Sequence, residues 1–197
     1  MDTQSLTLLE YALLGLVSMA PMSGYDVHKM FATTPLGHFS SSPGAIYPAL
    51  RRLERRDLLK ATLDSTTETR PRRVYSLTEA GRAALDAWLH QQVTREELIR
   101  NSGAPILRFG FAGGRLSRDE VIAYLDGWRQ TTEAYLEELR GYRGLIDASA
   151  APHARLSLEH GIRGYEGVVE WIQDAIAEIR SHSRRAKTRG GRRAPRQ

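Results

Sequence analysis

Residues 41–59, "SSPGAIYPALRRLERRDLL", set four arginines and a tyrosine on one short element that opens Ser-Pro-Gly. An arginine side chain presents five N–H donors in a planar fork, which suits carboxylates, phosphates and the edge of guanine. Ser42 is of the type that caps a helix, and Pro43 then falls at the first helical position, where its missing N–H costs nothing. At about 100° per residue, Ile46, Leu50 and Leu53 form one narrow apolar stripe. Gly44, Pro48, Arg51, Arg52 and Arg55 point the opposite way, with Tyr47 flanking them. A free helix N-terminus offers N–H groups to an anion, and neither Ser42 nor Gly44 has the bulk to block close approach. The chemistry implied is the reading of an anionic groove. Arg51, Arg52 and Arg55 would reach base edges or backbone, and Tyr47 would stack on a sugar or bond a phosphate. The competing interpretation is a solvated charged face, with Tyr47 packed inside its own domain.

The neighbouring elements decide between these. Residues 5–19 are apolar on nearly every helical face, so that helix is buried on one side by its own domain and on the other by a partner element or second subunit. Pro21 stops it. Ser23, with Asp26 three residues on, starts a second short helix whose apolar positions are Tyr25, Val27, Met30 and Phe31. "ATTPLGHFSS" is a turn-rich connection to the basic helix, which runs from Ser42 to Arg56 or Asp57. "LLKATLDST" and "RRVYSL" then pattern as two strands around the polar tip "TETRP", where Arg70, Arg72 and Arg73 cluster. Three short helices followed by a basic hairpin describe a winged helix-turn-helix with a two-stranded wing. The wing arginines would meet phosphates or the adjacent minor groove. Thr78 caps one long helix through Arg100, and "NSGAP", residues 101–105, is the expected domain boundary.

Beyond it the chain reads as long helices. From Ser117, with Glu120 completing a capping box, Leu125, Trp128, Thr132, Tyr135, Leu139, Tyr142 and Ile146 alternate spacings of three and four. Leu158, Ile162, Tyr165, Val169, Ile172, Ile176 and Ile179 repeat the pattern after "DASAAP". A hairpin of two such helices has little core of its own, so a second copy of the chain is the expected cover. The residues expected at that dimer interface are Leu9, Leu13 and Leu16 with Tyr165, Val169, Ile172 and Ile176. Trp128 and Trp171 are the candidate lining of an effector pocket, although aromatics at helical spacing serve more often as core.

The charge balance supports a local basic surface only. Seven of the 28 Lys and Arg lie in residues 184–197, "RRAKTRGGRRAPRQ", leaving 21 bases against 23 acids in the rest. That tail cannot bury a core and is expected to be disordered. No cysteine is present, which excludes disulfides and thiolate chemistry. The histidines at 28, 38, 90, 153, 160 and 182 make no metal spacing, and no nucleophile motif or phosphate loop appears; "GFAGGR" lacks the required spacing. The expectation is no catalytic site, metal or cofactor. Glu10 interrupts the apolar N-terminal run, so no membrane segment is expected and the compartment is read as cytoplasmic.

"LEYALLGLVSMAPMSGYDV", "SSPGAIYPALRRLERRDLL" and "RRVYSLTEAGRAAL" together resemble the PadR family of bacterial transcriptional regulators. The shared pattern is an apolar first helix, Gly-Tyr, Gly-x-x-Tyr-Pro-x-Leu-x-Arg-Leu-Glu and Arg-x-Tyr-x-Leu-Thr-x-x-Gly. The resemblance covers roughly residues 6–85, and residues 117–180 are similar in arrangement to the family's C-terminal helical domain. It implies a homodimer that binds double-stranded DNA at a promoter palindrome, usually as a repressor, released in some members by an aromatic or hydrophobic ligand. One position departs from the pattern: Asp57 stands where the family usually has Gly. The expected architecture is therefore mainly α. It comprises a winged helix-turn-helix with its linking helix over residues 1–100, a helical dimerisation domain over 104–183 and a basic tail over 184–197. The alternative is a winged-helix module for protein–protein assembly, its arginines meeting an acidic partner.

Overall fold

The computed structural model describes residues 5–39, 42–64, 72–146 and 152–190. They fall into two compact units, residues 1–91 with 106–115, and 92–105 with 116–197. The division does not follow "NSGAP": residues 92–105 belong with the long helices, while 106–115 return to the first unit.

The first unit begins with α1 (Leu8–Met19), whose N-cap Thr7 and Glu10 form a reciprocal capping box. A two-residue strand β1 (Met22–Ser23) leads into α2 (Gly24–Thr33), where the Ser23 hydroxyl accepts from the Asp26 N–H. A 3₁₀ turn (Pro35–His38) precedes α3 (Pro43–Arg55), the basic helix. The hairpin β2 (Leu59–Asp64) and β3 (Arg72–Leu77) follows, then α4 (Glu79–Leu89). The expected two-stranded wing is present as β2–β3, and among the described residues β1 adds a third strand, in the order β1-β3-β2. β1 pairs Met22 with Tyr75 and Ser23 with Val74, too short a run to show as alternation in the sequence. The core is built from Ala12, Leu13, Leu14, Leu16 and Val17 of α1, Val27 and Phe31 of α2, and Ile46, Ala49, Leu50 and Leu53 of α3. Leu85, Trp88 and Leu89 of α4 close it, with the Trp88 ring stacked on Tyr11 at 4.5 Å. Part of α6 (Ala104–Phe111) packs here too: the Phe111 ring occupies the space where a Cβ on Gly15 would lie, and the Arg108 guanidinium sits over Trp88.

The end of α3 accounts for the departing aspartate. Asp57 has φ +54°, the left-handed conformation. Its N–H donates to the Glu54 carbonyl and the Leu58 N–H reaches back to the Leu53 carbonyl, the paired bonds of a Schellman cap. Aspartate holds this conformation at some conformational cost, and its charge opposes the negative end of the helix dipole. Asp57→Gly should therefore stabilise the protein by about 0.5–1 kcal/mol in urea or thermal unfolding, less whatever the freer unfolded chain gives back.

The single helix expected from Thr78 to Arg100 is two. α4 ends at Leu89, and α5 (Arg95–Arg100) restarts on the Thr94 side chain, which accepts from the Glu97 N–H. The Thr-x-x-Glu spacing at 94–97 was the legible sign of a restart. In the second unit α7 (Arg118–Leu145) and α8 (Pro152–Gly190) pair antiparallel, since Trp128 meets Trp171, Tyr135 meets Tyr165 and Arg140 meets Glu166. Leu125, Trp128, Thr132, Ile162, Ile172 and Ile176 of the two expected seams are buried, together with Leu136. Tyr142, at the far end of its seam, is 55% exposed. α8 continues to Gly190, into the stretch expected to be a disordered tail; residues 191–197 lie outside the described residues. Among the described residues no helix is long and apolar enough to cross a membrane.

Candidate nucleic-acid interface

The face of α3 away from its buried stripe carries the predicted cations. Ser42, Pro43 and Gly44 are exposed at its start, and Arg51, Arg52, Arg55 and Arg56 further along. Ser42 occupies the N-cap position, but its side chain makes no capping bond there. The helix runs unbroken through Pro48. The missing N–H of Pro48 leaves the carbonyl of Gly44, one turn earlier, without its helical donor, at an exposed position where water can serve.

A cleft of about 540 Å³ opens between α3, the start of α2 and β3, lined by Tyr25, Tyr47, Tyr75, Arg51, Arg72 and Arg73 beside Ser23 and Gly24. Tyr47 is packed within its own domain and also faces the cleft. Its ring packs where a Cβ on Gly24 would come within 2.8 Å, and it also lines the cleft. Tyr25 corrects an expectation: it is not an apolar core position of α2 but 62% exposed on the cleft rim. Its place beside Gly24, immediately after the Ser23 cap, was the available signal. Tyr75 is 5% exposed, and its burial raises the phenol's pKa, with the nearby Arg73 opposing. Arg70 lies outside the described residues.

The arginines of this surface divide into two kinds. Arg52 turns toward α1, its Nε donating to Glu10 Oε1 at 3.0 Å. Arg73 on β3 pairs with Glu54 on α3 at 2.5 Å. Arg51, Arg55 and Arg72, by contrast, make no ion pair among the described residues. Arg52 and Arg73 thus join elements together, while the other three leave their charge to solvent or to a bound anion.

Glu10 is the acid that organises the first of these joints, and the sequence shows it only as a break in an apolar run. It is 3% exposed. Oε2 accepts from the Thr7 N–H at 2.9 Å and from the Thr7 hydroxyl at 3.0 Å, while Oε1 takes Arg52. Burial alone would raise its pKa; the Thr7 backbone bond, then Arg52 and the Thr7 hydroxyl, outweigh that and hold the carboxyl below its ordinary value. A carboxyl with a lowered folded pKa stabilises fully above the unfolded value, and that contribution is lost as pH falls through the folded one. Acid unfolding of Glu10→Gln should accordingly show a shallower decline in stability below pH about 4.5 than the unsubstituted protein, read from urea midpoints at successive pH values.

The residues expected at a dimer interface separate by burial. Leu13, Leu16, Ile172 and Ile176 are no more than 6% exposed within the chain itself, so they are core and present nothing to a partner. An all-round apolar helix such as α1 is satisfied by the other elements of one chain. Leu9, Tyr165 and Val169 are half-buried, and the Tyr165 hydroxyl donates to the Leu98 carbonyl. Trp128 and Trp171 do come together, ring centroids 5.6 Å apart. Trp128 is 4% exposed with its indole N–H lacking a hydrogen-bond partner among the described residues, and Trp171 is 37% exposed.

Known proteins resemble the chain along both units. Residues 13–87 match the transcriptional regulator PadR-like family, and residues 111–180 match the virulence activator alpha C-terminal family. The negative transcriptional regulator PadR of Bacillus subtilis is 27% identical over 182 residues, 87% of this chain and 97% of that protein. A transcriptional regulator of Mycobacterium tuberculosis is 40% identical over 77 residues, 37% of this chain and 71% of that protein. The crystal structure of B. subtilis PadR in complex with operator DNA aligns with a TM-score of 0.42 at 26% identity, covering 89% of this chain and 99% of that one. On the matched residues, the order of its motifs and the three-helix-and-wing unit that they build, the chain belongs to the PadR-like family of transcriptional regulators.

Proposed function

We propose that the protein is a homodimeric repressor that reads a two-fold symmetric operator, with α3 in the major groove and the β2–β3 wing against the flanking backbone. The observation that carries this reading is the set of Arg51, Arg55 and Arg72, exposed arginines that make no ion pair among the described residues, two of which, Arg51 and Arg72, line the cleft with Tyr25, Tyr47 and Tyr75. Arg51 and Arg55 supply forks for guanine edges, and Arg72 supplies charge for a phosphate. Tyr47 and Tyr25 offer hydroxyls and ring faces to the backbone. Repression is the sense suggested by the B. subtilis relative, a negative transcriptional regulator. Dimerisation is favoured by apolar side chains left open on the α7–α8 pair, among them Leu156 at 54% and Trp171 at 37%. An aromatic or hydrophobic effector would sit beside Trp128 and Trp171, where a buried indole N–H awaits an acceptor.

Footprinting of the purified protein on DNA upstream of its own gene tests the reading. The expected result is symmetric protection of two half-sites about 34 Å apart, one helical turn, with affinity falling steeply as salt rises. Binding that shows no preference for any sequence over random DNA at physiological salt would remove it. Retention of full affinity across a broad panel of aromatic ligands would remove the effector component alone.

A further inference from the structure

We propose that Glu54 is a positioning residue for the wing: by holding Arg73, it fixes the angle at which the β2–β3 hairpin leaves the body of the domain. The inference rests on the operator reading above and goes one step past it, because it takes Arg73 out of the set of DNA contacts and gives an acid on the recognition helix a part in binding.

The pairing pattern carries the argument. Strand β3 is tied to the body through β1, and that ladder stops after two residues, Tyr75 with Met22 and Val74 with Ser23. From Arg73 outward the backbone partner of β3 is β2 alone, opposite Leu63 and Asp64, so the two strands would swing together. Arg73 is the first residue past the end of the ladder. Its guanidinium reaches Glu54 Oε1 at 2.5 Å and stands 6.0 Å from the ring centroid of Tyr75, which is itself buried. The ion pair therefore attaches the hairpin to α3 one residue beyond the point where hydrogen-bonded strand pairing gives out. Arg72, the next residue, is left unpaired among the described residues and faces the cleft. Where Arg72 presents its charge depends on the residue beside it. An acid amid arginines would otherwise weaken an anion-binding surface, since it repels phosphate; holding the wing gives it a use there.

The test uses the full chain, operator DNA followed by fluorescence anisotropy over a range of salt, and amide hydrogen exchange of the free protein. Glu54→Gln keeps the shape and removes the charge. Its operator affinity should fall about fivefold, the scale of one partly exposed ion pair, with the slope of log K against log salt unchanged. Exchange of the β2 and β3 amides should speed up in the same variant without DNA. The charge-swapped protein, Glu54→Arg with Arg73→Glu, should recover both affinity and protection to within about twofold, whereas each reversal alone should not. Tighter binding by Glu54→Gln would overturn the proposal, because Glu54 would then be competing with phosphate for Arg73. So would a charge-swapped protein as weak as Arg73→Glu alone with a salt slope reduced by about one, the signature of Arg73 on a phosphate. The exchange measurement needs no DNA, so a failure of operator binding itself is read separately from a failure of the joint.

Discussion

Arg51→Ala and Arg55→Ala should each cost about 1–3 kcal/mol on the cognate operator, roughly 5- to 150-fold, while changing affinity for random DNA far less. The two residues are four apart on α3, so they stand one turn above the other on a single face. Both are exposed, and neither makes an ion pair among the described residues. An arginine without an ion pair gives up water rather than a carboxylate on docking, so the discrimination of a bidentate bond to guanine is not reduced by breaking an existing pair. Arg72→Ala should behave differently. It should weaken cognate and random DNA alike and lower the salt slope by about one, as expected for the loss of a single phosphate contact. Arg52→Ala provides the contrast within the same helix: its loss leaves Glu10 buried without its cation, so the effect should appear first as lowered stability rather than lost specificity. Competition titrations of operator against random DNA, at two or more salt concentrations, separate the first two behaviours, and urea unfolding of Arg52→Ala reads the third. If Arg51→Ala and Arg55→Ala discriminate as well as the unsubstituted protein, α3 does not read bases.

The basic helix α3 was legible because three independent signals fell on one segment: an N-terminal Ser-Pro, a narrow apolar stripe, and arginines opposite the stripe. What the sequence could not separate was which arginines are available. Arg51 and Arg52 are adjacent and chemically identical, and only the fold puts a buried carboxylate, 42 residues earlier in the chain, beside one of them. The same holds for Arg72 and Arg73 against Glu54. Long-range ion pairs leave no periodicity to find. The pattern shared with the family contains the residues engaged in these joints, Arg52, Glu54, Arg73 and Tyr75, rather than Arg51, Arg55 and Arg72. Burial within the chain likewise removed Leu13, Leu16, Ile172 and Ile176 from the dimer surface, because an apolar periodicity reports that a face is covered and not by what.

The last residue of the family pattern, Gly81, should prove the least replaceable. A Cβ placed there would lie 2.0 Å from the carbonyl oxygen of Leu58 and 2.9 Å from its carbon. Those are backbone atoms, and they cannot step aside. The Leu58 N–H closes the cap of α3 on Leu53, its carbonyl accepts from the Thr78 N–H at 3.3 Å, and the Thr78 hydroxyl donates to the Asp57 carbonyl at 2.6 Å. The end of α3, the first residues of the wing and the start of α4 therefore meet at one point, and Gly81 is the clearance that lets them. Gly81→Ala should cost about 3 kcal/mol or more, at the severe end of overpacking because no flexible side chain can absorb it. In a unit of this size that is a fall in Tm of more than about 10 °C. Gly164→Ala, in an exposed stretch of α8 with nothing within 4 Å, is the matched control and should stabilise by up to about 1 kcal/mol. Opposite signs for the same chemical change in one chain would tie the cost at position 81 to the approach of Leu58 rather than to alanine itself. Equal stability of Gly81→Ala and the unsubstituted protein would mean that α4 and the cap of α3 are not in contact, and the shared joint behind both α3 and the wing would have to be abandoned.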